Sequence, residues 1–353
     1  MSIFQRVHSM GHEQVVFCHH APSGLRAIIA VHSTALGPSL GGCRILPYTD
    51  EQAALTDVLR LSRGMSYKSA IAGLDLGGGK SVIIADPKNK SEAMLRAFGR
   101  HIEALSGRYI VAEDMNSTPM DMVNIAKETE HVAGLPPEYG GIGAPGPVTA
   151  HGVYMGLRAS LKHAFGSDEP RGRRIAVQGL GSVGYNLCRE LAESGAELLV
   201  SDINEMRVQK ACEEFGATAV SGDIVEVSAD VLAPCAIGGV LSASDIPRMG
   251  ARVVAGGANN ILVDDVADAE AFQHAGILIA PDYVLNAGGI IAMDVERRGG
   301  GFDQAMTLAE NIYDTTGRIL AEADAQGWTP LASARYLAEE RMRDISQLRD
   351  MHL

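Results

Sequence analysis

The sequence predicts an α/β protein of two domains, and three observations carry that prediction. Short apolar runs rich in β-branched residues alternate with segments in which apolar residues recur every three or four positions, the mark of strands interleaved with helices. The chain has 353 residues, more than one hydrophobic core ordinarily organises and suited to two. Between two such α/β series lies Gly140-Gly141-Ile142-Gly143-Ala144-Pro145-Gly146-Pro147. Gly and Pro at that density are expected to exclude a helix or a central strand, so this stretch is read as the hinge.

In the N-terminal series, residues 14–17 and 25–31 read as strands. Thr49 and Gln52 have capping-box spacing, and Ala54, Val58, Leu61 and Met65 follow at helical spacing, which predicts a helix running towards Lys68. Gly77-Gly78-Gly79 is expected to be a loop that delivers Lys80 to a strand over 81–85. Leu95, Phe98, Ile102 and Leu105 mark a further helix, residues 109–112 a strand ending at Glu113-Asp114, and Thr118-Pro119 with Asp121 a helix start. Beyond the hinge, a helix through Val153, Leu157 and Leu161 leads to six expected strands, at 175–178, 198–200, 217–220, 231–234, 253–255 and 277–280. Six strands with helices between them fit a doubly wound sheet. The remainder is expected to be helical, with Thr329-Pro330 opening the last helix.

Composition excludes several function classes. A formal net charge of −13 disfavours nucleic acid or an anionic membrane as a partner. The five cysteines, at 18, 43, 188, 212 and 235, form no C-x-x-C pair, so neither a disulfide framework nor a structural metal site is expected, and reduced thiols in the cytoplasm are the simplest account. Residues 1–11 lack the apolar core of a signal peptide, and no apolar run approaches the roughly 18 residues needed to span a bilayer.

Gly179-Leu180-Gly181-Ser182-Val183-Gly184 is a G-x-G-x-x-G string. In a glycine-rich chain the string alone is weak, but here an apolar strand precedes it, an amphipathic helix (Val183, Leu187, Leu191) follows, and the next strand ends at Asp202. In this arrangement Gly179 permits the tight turn, Gly181 lets backbone approach a pyrophosphate, and Gly184 lets the helix pack on the strand. The helix start offers free N–H groups to phosphate, and Asp202 would accept from the adenosine ribose while repelling a 2′-phosphate. NAD is therefore the expected cofactor; the alternative is a tight strand-to-helix turn without a ligand.

Lys68 and Lys80 are the candidate reactive amines. An average lysine is a surface residue, but one at the mouth of an apolar strand loses hydration and becomes a better general base. A phosphate-loop reading of Gly77-Gly78-Gly79-Lys80-Ser81 fails, because the Walker spacing requires glycine where Leu74 stands. Asp114 follows a strand end, where ligands bind in open α/β sheets; capping the next helix is the alternative, although Thr118 fits that role better. Residues 36–44, Leu-Gly-Pro-Ser-Leu-Gly-Gly-Cys-Arg, are read as a loop whose Gly41 and Gly42 N–H groups are free for a carboxylate or simply form a turn.

These segments fall in one order: 36–44, Arg-Gly-Met-Ser-Tyr-Lys (63–68), Gly-Gly-Gly-Lys-Ser-Val-Ile (77–83), Ala-Glu-Asp-Met (112–115), Gln-Gly-Leu-Gly-Ser-Val-Gly (178–184), Ala-Pro-Cys-Ala (233–236), Gly-Ala-Asn-Asn (257–260) and Pro-Asp-Tyr-Val-Leu-Asn-Ala-Gly-Gly (281–289). Together they resemble the leucine, valine, phenylalanine and tryptophan dehydrogenases of the glutamate dehydrogenase superfamily over nearly the whole chain. The resemblance implies a mixed-sheet substrate and oligomerisation domain over 1–147, with a C-terminal helix (327–353) packing back on it. It also implies a Rossmann-type NAD domain over 148–326, separated from the first by a cleft; the glycine-rich hinge between the two domains is expected to let them close over the substrate. It implies that Lys68 and the Gly41-Gly42 backbone hold the substrate carboxylate, that Lys80 activates water, and that Asp114 relays protons at the amino group. Thr149 and Asn259 would position the nicotinamide end, and Asn286 would help fix the substrate. A homo-oligomer is expected.

The positions implied to line the side-chain pocket are Leu40, Ala112, Ile290 and Met293, all apolar. No lysine among them would pair a second carboxylate, so glutamate is disfavoured. A branched-chain L-amino acid and its 2-oxo acid are the expected substrates. Phenylalanine or tryptophan is the alternative within the class: the opening Met10-Gly11-His12-Glu13-Gln14-Val15 is more similar to the tryptophan enzyme, and Met115-Asn116 and Cys43 depart from the usual leucine-enzyme residues. A non-catalytic NAD-binding regulator is the alternative from another class.

Overall fold

The computed structural model describes residues 2–348. The chain divides into two compact units. The first runs to Ala144 and includes Met293–Phe302 and the chain from Ala338; the second comprises Pro145–Ala292 and Asp303–Leu337.

The first unit is built on strands β1 (Gln14–His20), β2 (Leu25–Ser33), β3 (Ser39–Leu46), β4 (Gly77–Ile84) and β5 (Tyr109–Glu113). They lie in the order β1-β2-β4-β3-β5; β1, β2 and β4 are antiparallel neighbours, and β3 runs parallel to both β4 and β5. One face of the sheet packs on the helix Glu51–Ile71 through Ile28, Ala30, Val82, Leu55, Val58 and Leu59. The other packs on the helix Glu92–Glu103 through Ile29, Ile45, Ile83, Leu95, Phe98 and Ile102.

Four sequence expectations change here. The cap of the first long helix is Asp50, which accepts from Ala53 N–H at 2.7 Å, not Thr49. Its buried stripe is Ala54, Leu55, Val58, Leu59, Ser62, Ser66 and Ser69, with Leu61 and Met65 half-buried. The three glycines are not a loop but the buried start of β4. The helix lies so close that a Cβ on Gly78 would sit 2.1 Å from Ser66 N, while one on Gly79 would sit 2.6 Å from the Tyr109 ring on the opposite face. Nor are residues 36–44 an open loop. Gly41 and Gly42 pair with Val111 and Ala112 inside the sheet, because small residues let β3 fit between β4 and β5.

Buried histidines occupy the same helix–sheet interface. His12 Nε2 lies 2.8 Å from Ser62 Oγ, His32 Nδ1 lies 2.8 Å from Ser66 Oγ, and the rings meet edge-on at 4.9 Å. Burial, with Arg63 nearby and His12 against His32, brings both down to about 4. The unfolded chain takes up these protons near pH 6.5, whereas the folded chain resists until about pH 4. The stabilisation is therefore present above pH 6.5 and lost as pH falls towards 4, on the order of 2–3 kcal/mol per histidine. Urea unfolding at pH 7.5 and 5.0 is expected to give a clearly lower midpoint at the acid pH. The difference should shrink in the His12→Asn/His32→Asn variant; equal wild-type midpoints contradict this account.

The second unit carries β6 (Arg174–Gln178), β7 (Glu197–Ser201), β8 (Thr218–Ala219), β9 (Val231–Pro234), β10 (Val253–Val254) and β11 (Leu278–Ile279). All are parallel, in the order β11-β10-β9-β6-β7-β8. Counted within the unit this is 3-2-1-4-5-6 read from the other edge, the doubly wound dinucleotide-fold order, with its switch point between β6 and β9. The expected hinge ends inside a helix, Gly146–Phe165. Pro147 is tolerated in its first turn, where N–H groups have no intrahelical partner.

Two stretches depart from a division at 147/148 and 326/327. Met293–Phe302 falls in the first unit, where the Glu296 carboxylate accepts from the backbone N–H of Gly134 (2.8 Å), Leu135 (3.2 Å) and Ile142 (3.2 Å). Residues up to Leu337 fall in the second. The later turns of the helix Pro330–Leu348 are tied to the first unit by Arg341, which donates to Leu74 O at 2.7 Å, and by Glu339, which accepts from Tyr67 at 2.9 Å. Residues 349–353 of the expected packing segment lie outside the described residues. No helix among the described residues is long and apolar enough to cross a membrane.

Candidate active site

In the first unit the sheet brings Lys80 and Asp114 together. Lys80 lies inside β4, with its side chain 7% exposed, and its Nζ donates to Asp114 Oδ2. Asp114 follows the last residue of β5 and is held on every side. Its N–H donates to Ser117 Oγ (2.8 Å), and its Oδ1 accepts from Met115 N–H (2.5 Å) and Arg44 Nε (3.2 Å). Capping belongs to Thr118, which forms a box with Asp121, so Asp114 is free of that duty. Burial pushes the Asp114 carboxyl up, but the charges of Lys80 and Arg44 and the hydrogen bonds from Lys80 and Met115 bring it down to about 2. Glu113, its neighbour, is pushed the other way by burial and then by the Asp114 charge.

Sequence reasoning missed the rest of this network. Arg44 NH1 donates to Asp57 Oδ2 at 3.0 Å, and the Tyr48 hydroxyl donates to the same oxygen at 2.7 Å. The available signals were a charged residue alternating with Gly42 on an apolar strand and an acid, Asp57, beside a helix's buried stripe. Lys68 is half-buried in the last turn of that helix. A Cβ on Gly42 would lie 2.7 Å from the Asp114 Cβ, so the strand backbone runs directly against the carboxylate. Leu40 and Ala112 are fully buried in β3 and β5, and Met293 is half-buried. Beneath the sheet the buried Tyr109 hydroxyl donates to Gly41 O at 2.7 Å.

In the second unit the glycine string joins β6 to the helix Ser182–Glu193. Gly179 has φ +91°, and a Cβ on Gly184 would lie 1.9 Å from Gly179 O, so the turn and the helix approach both require glycine. Nothing lies within 4 Å of a Cβ on Gly181, and as N-cap it leaves the helix N–H groups, with Ser182 and Val183 in the first turn, without a side-chain cap. Asp202, just past β7, accepts from Leu180 N–H (2.6 Å) and Asn204 N–H (2.8 Å). It thus braces the glycine turn, and each oxygen keeps a lone pair for another donor. A glycine turn, an uncapped helix start and an acid at the end of the next strand, all at the switch point, fit a dinucleotide. Thr149 Oγ1 donates to Pro145 O at 2.9 Å, and Asn286 Nδ2 donates to Asn259 Oδ1 at 2.8 Å; Ile290 is buried.

Comparison with known proteins fits both halves. Residues 12–131 match the model of the Glu/Leu/Phe/Val dehydrogenase dimerisation domain, and residues 197–307 match the Glutamate/Leucine/Phenylalanine/Valine dehydrogenase model. Leucine dehydrogenase of Geobacillus stearothermophilus is 49% identical over 355 aligned positions, which cover 100% of this chain and 96% of that one. The chain belongs to the Glu/Leu/Phe/Val dehydrogenase family. Other members are similar along nearly their full length: valine dehydrogenase of Streptomyces virginiae is 46% identical over 95% of this chain and 94% of its own. The crystal structure of L-tryptophan dehydrogenase from Nostoc punctiforme superposes with a TM-score of 0.87 at 44% identity, covering 98% of this chain and 99% of that one. Enzymes of this family are NAD(P)-dependent dehydrogenases.

Proposed function

We propose that this protein is an NAD-dependent dehydrogenase that converts a branched-chain L-amino acid to its 2-oxo acid and ammonia, and runs the reverse reductive amination. The buried pair of Lys80 and Asp114 carries this reading. Full-length similarity to leucine dehydrogenases supports the substrate class.

When bound, NAD supplies the acceptor for the hydride that leaves the α-carbon. Asp114, held anionic, takes a proton from the substrate nitrogen and releases it to solvent. Lys80 first gives a proton to Asp114 across their hydrogen bond, and its neutral amine then removes a proton from the water that adds to the resulting iminium carbon. Its later ammonium form offsets the negative charge developing on the oxygen. Lys68 and the backbone at Gly41 and Gly42 take the substrate carboxylate. Leu40, Ala112, Ile290 and Met293 provide the apolar surroundings of the side chain, and Asn286 helps fix the substrate. Thr149 and Asn259 orient the nicotinamide end; Gly179 to Gly184 take the pyrophosphate, and Asp202 the ribose. The working protein is a homo-oligomer in this reading.

A panel of amino acids assayed at alkaline pH for NADH formation tests the proposal. Leucine, isoleucine and valine are expected to be fastest and glutamate inert. Phenylalanine or tryptophan as the fastest substrate supports the aromatic alternative, and no amino-acid-dependent NADH contradicts the class. Asp202→Asn keeps an acceptor oxygen but removes the charge that repels a 2′-phosphate. It is expected to raise the NADP-to-NAD ratio of kcat/KM by at least about tenfold, measured side by side with both cofactors.

A further inference from the structure

The geometry points to Arg44 as a positioning residue for the reaction: it holds one oxygen of Asp114 so that the other faces Lys80, and Asp57 with Tyr48 holds Arg44. This inference rests on the amino-acid dehydrogenase reading above only for the reaction that the geometry serves. The contacts form one chain, Lys80–Asp114–Arg44–Asp57–Tyr48, drawn from β4, the end of β5, β3 and its exit, and the helix Glu51–Ile71. Arg44 and Asp57 side chains are each 18% exposed and Asp114 is 17% exposed, so water screens the chain weakly.

The two carboxylate oxygens of Asp114 are treated differently. Oδ1 accepts from Arg44 Nε and from Met115 N–H, which uses both its lone pairs. Oδ2 accepts from Lys80 and keeps a lone pair for a substrate proton. A guanidinium suits this task because its planar fork serves two carboxylates at once, Nε towards Asp114 and NH1 towards Asp57. The four charges also balance, two cations against two anions. The groups whose charges bear on Asp114 include Lys80, Arg44, Glu113, Cys43, Tyr48 and Tyr109. The thiol and both phenols are pushed up by burial, so they stay neutral, and Arg44 joins Lys80 as a cation that lowers the Asp114 carboxyl.

Arg44→Met, Arg44→Lys and Asp57→Asn in the full-length protein test the assignment by two readouts. In steady-state oxidation, Arg44→Met is expected to lower kcat by about 10- to 100-fold while the amino-acid KM stays within about threefold, since misdirecting Asp114 disturbs the chemical step and not substrate capture. Arg44→Lys is expected to regain part of the loss and Asp57→Asn to lose less than Arg44→Met. The second readout needs no turnover: isotope-edited infrared titration of aspartate carboxyls, with the Asp114 band assigned by its absence in Asp114→Asn. That band is expected to appear at least about one pH unit higher in Arg44→Met, because a nearby cation has been removed. An unshifted band in folded Arg44→Met overturns the proposal, as does a rise in KM with kcat intact. If Arg44→Met does not fold, the same two readouts on Asp57→Asn decide the matter, with wild-type values contradicting it. A shifted band in a protein that oxidises no amino acid upholds the role of Arg44 and defeats the functional reading instead.

Discussion

Replacing Lys80 with Met is expected to reduce amino-acid oxidation by about 10²–10⁴-fold while leaving the fold and NAD binding in place, because general acid–base catalysis is lost at the reacting carbon. The fold should survive for a specific reason. Removing one member of a buried ion pair ordinarily costs about 3–5 kcal/mol by stranding the other charge. Here Arg44 and Met115 N–H still hold the Asp114 carboxylate. Asp114→Asn should lose activity on a similar scale but destabilise more, because it leaves the buried Lys80 ammonium without its carboxylate. Thermal unfolding beside kcat and KM separates the two effects. Turnover within a few-fold of wild type in Lys80→Met would remove the amine from the mechanism, whatever the substrate.

Gly78→Ala is expected to cost at least about 3 kcal/mol and to lower the activity of whatever protein folds, the second largest effect anticipated. The added methyl carbon would sit 2.1 Å from Ser66 N, 2.2 Å from Ser66 Oγ and 2.6 Å from Ser62 O. Two of these are backbone atoms of the helix Glu51–Ile71, so the helix or β4 must shift, and overpacking of a rigid interface exceeds its usual 1–3 kcal/mol. Lys80 lies two residues farther along β4, and a displacement of about 1 Å at a reacting group can cost about 10²-fold in rate. Gly64→Ala on the same helix is the control. It meets nothing within 4 Å, and alanine favours a helix interior by up to about 1 kcal/mol. Chemical unfolding of the pair should move the midpoint in opposite directions, and a Gly78→Ala protein as stable as wild type would show that the close approach is not required.

The same glycines explain what the sequence conveyed and what it withheld. The second unit was legible because its signals are local: an apolar strand, the Gly179–Gly184 string, an amphipathic helix and Asp202 follow one another within about 25 residues, as the dinucleotide fold demands. In the first unit Gly77, Gly78 and Gly79 carry no side chain to reveal strand periodicity, so they read as a loop. Their place in β4 is dictated by Ser66 on one face and Tyr109 on the other, contacts that span the sequence. Lys80 and Asp114 could be nominated separately, from a lysine entering an apolar strand and an acid at a strand end. Their pairing across 34 residues, and the Arg44–Asp57 link behind it, depend on strand order, which no local pattern encodes. Asp50 replaced Thr49 as the helix cap for a smaller reason: adjacent residues offer competing caps, and helix ends are the least determined feature of a sequence pattern.

The central claim is that the hydrogen on the α-carbon leaves as a hydride and that Lys80 and Asp114 handle protons bound to nitrogen and oxygen. Oxidation of leucine deuterated at the α-carbon tests it in one reaction. Deuterium should be recovered in the reduced nicotinamide ring, with one ammonia released for each NADH formed. Deuterium recovered in water instead would mean that a base strips the α-carbon, and the roles given to both residues would be wrong.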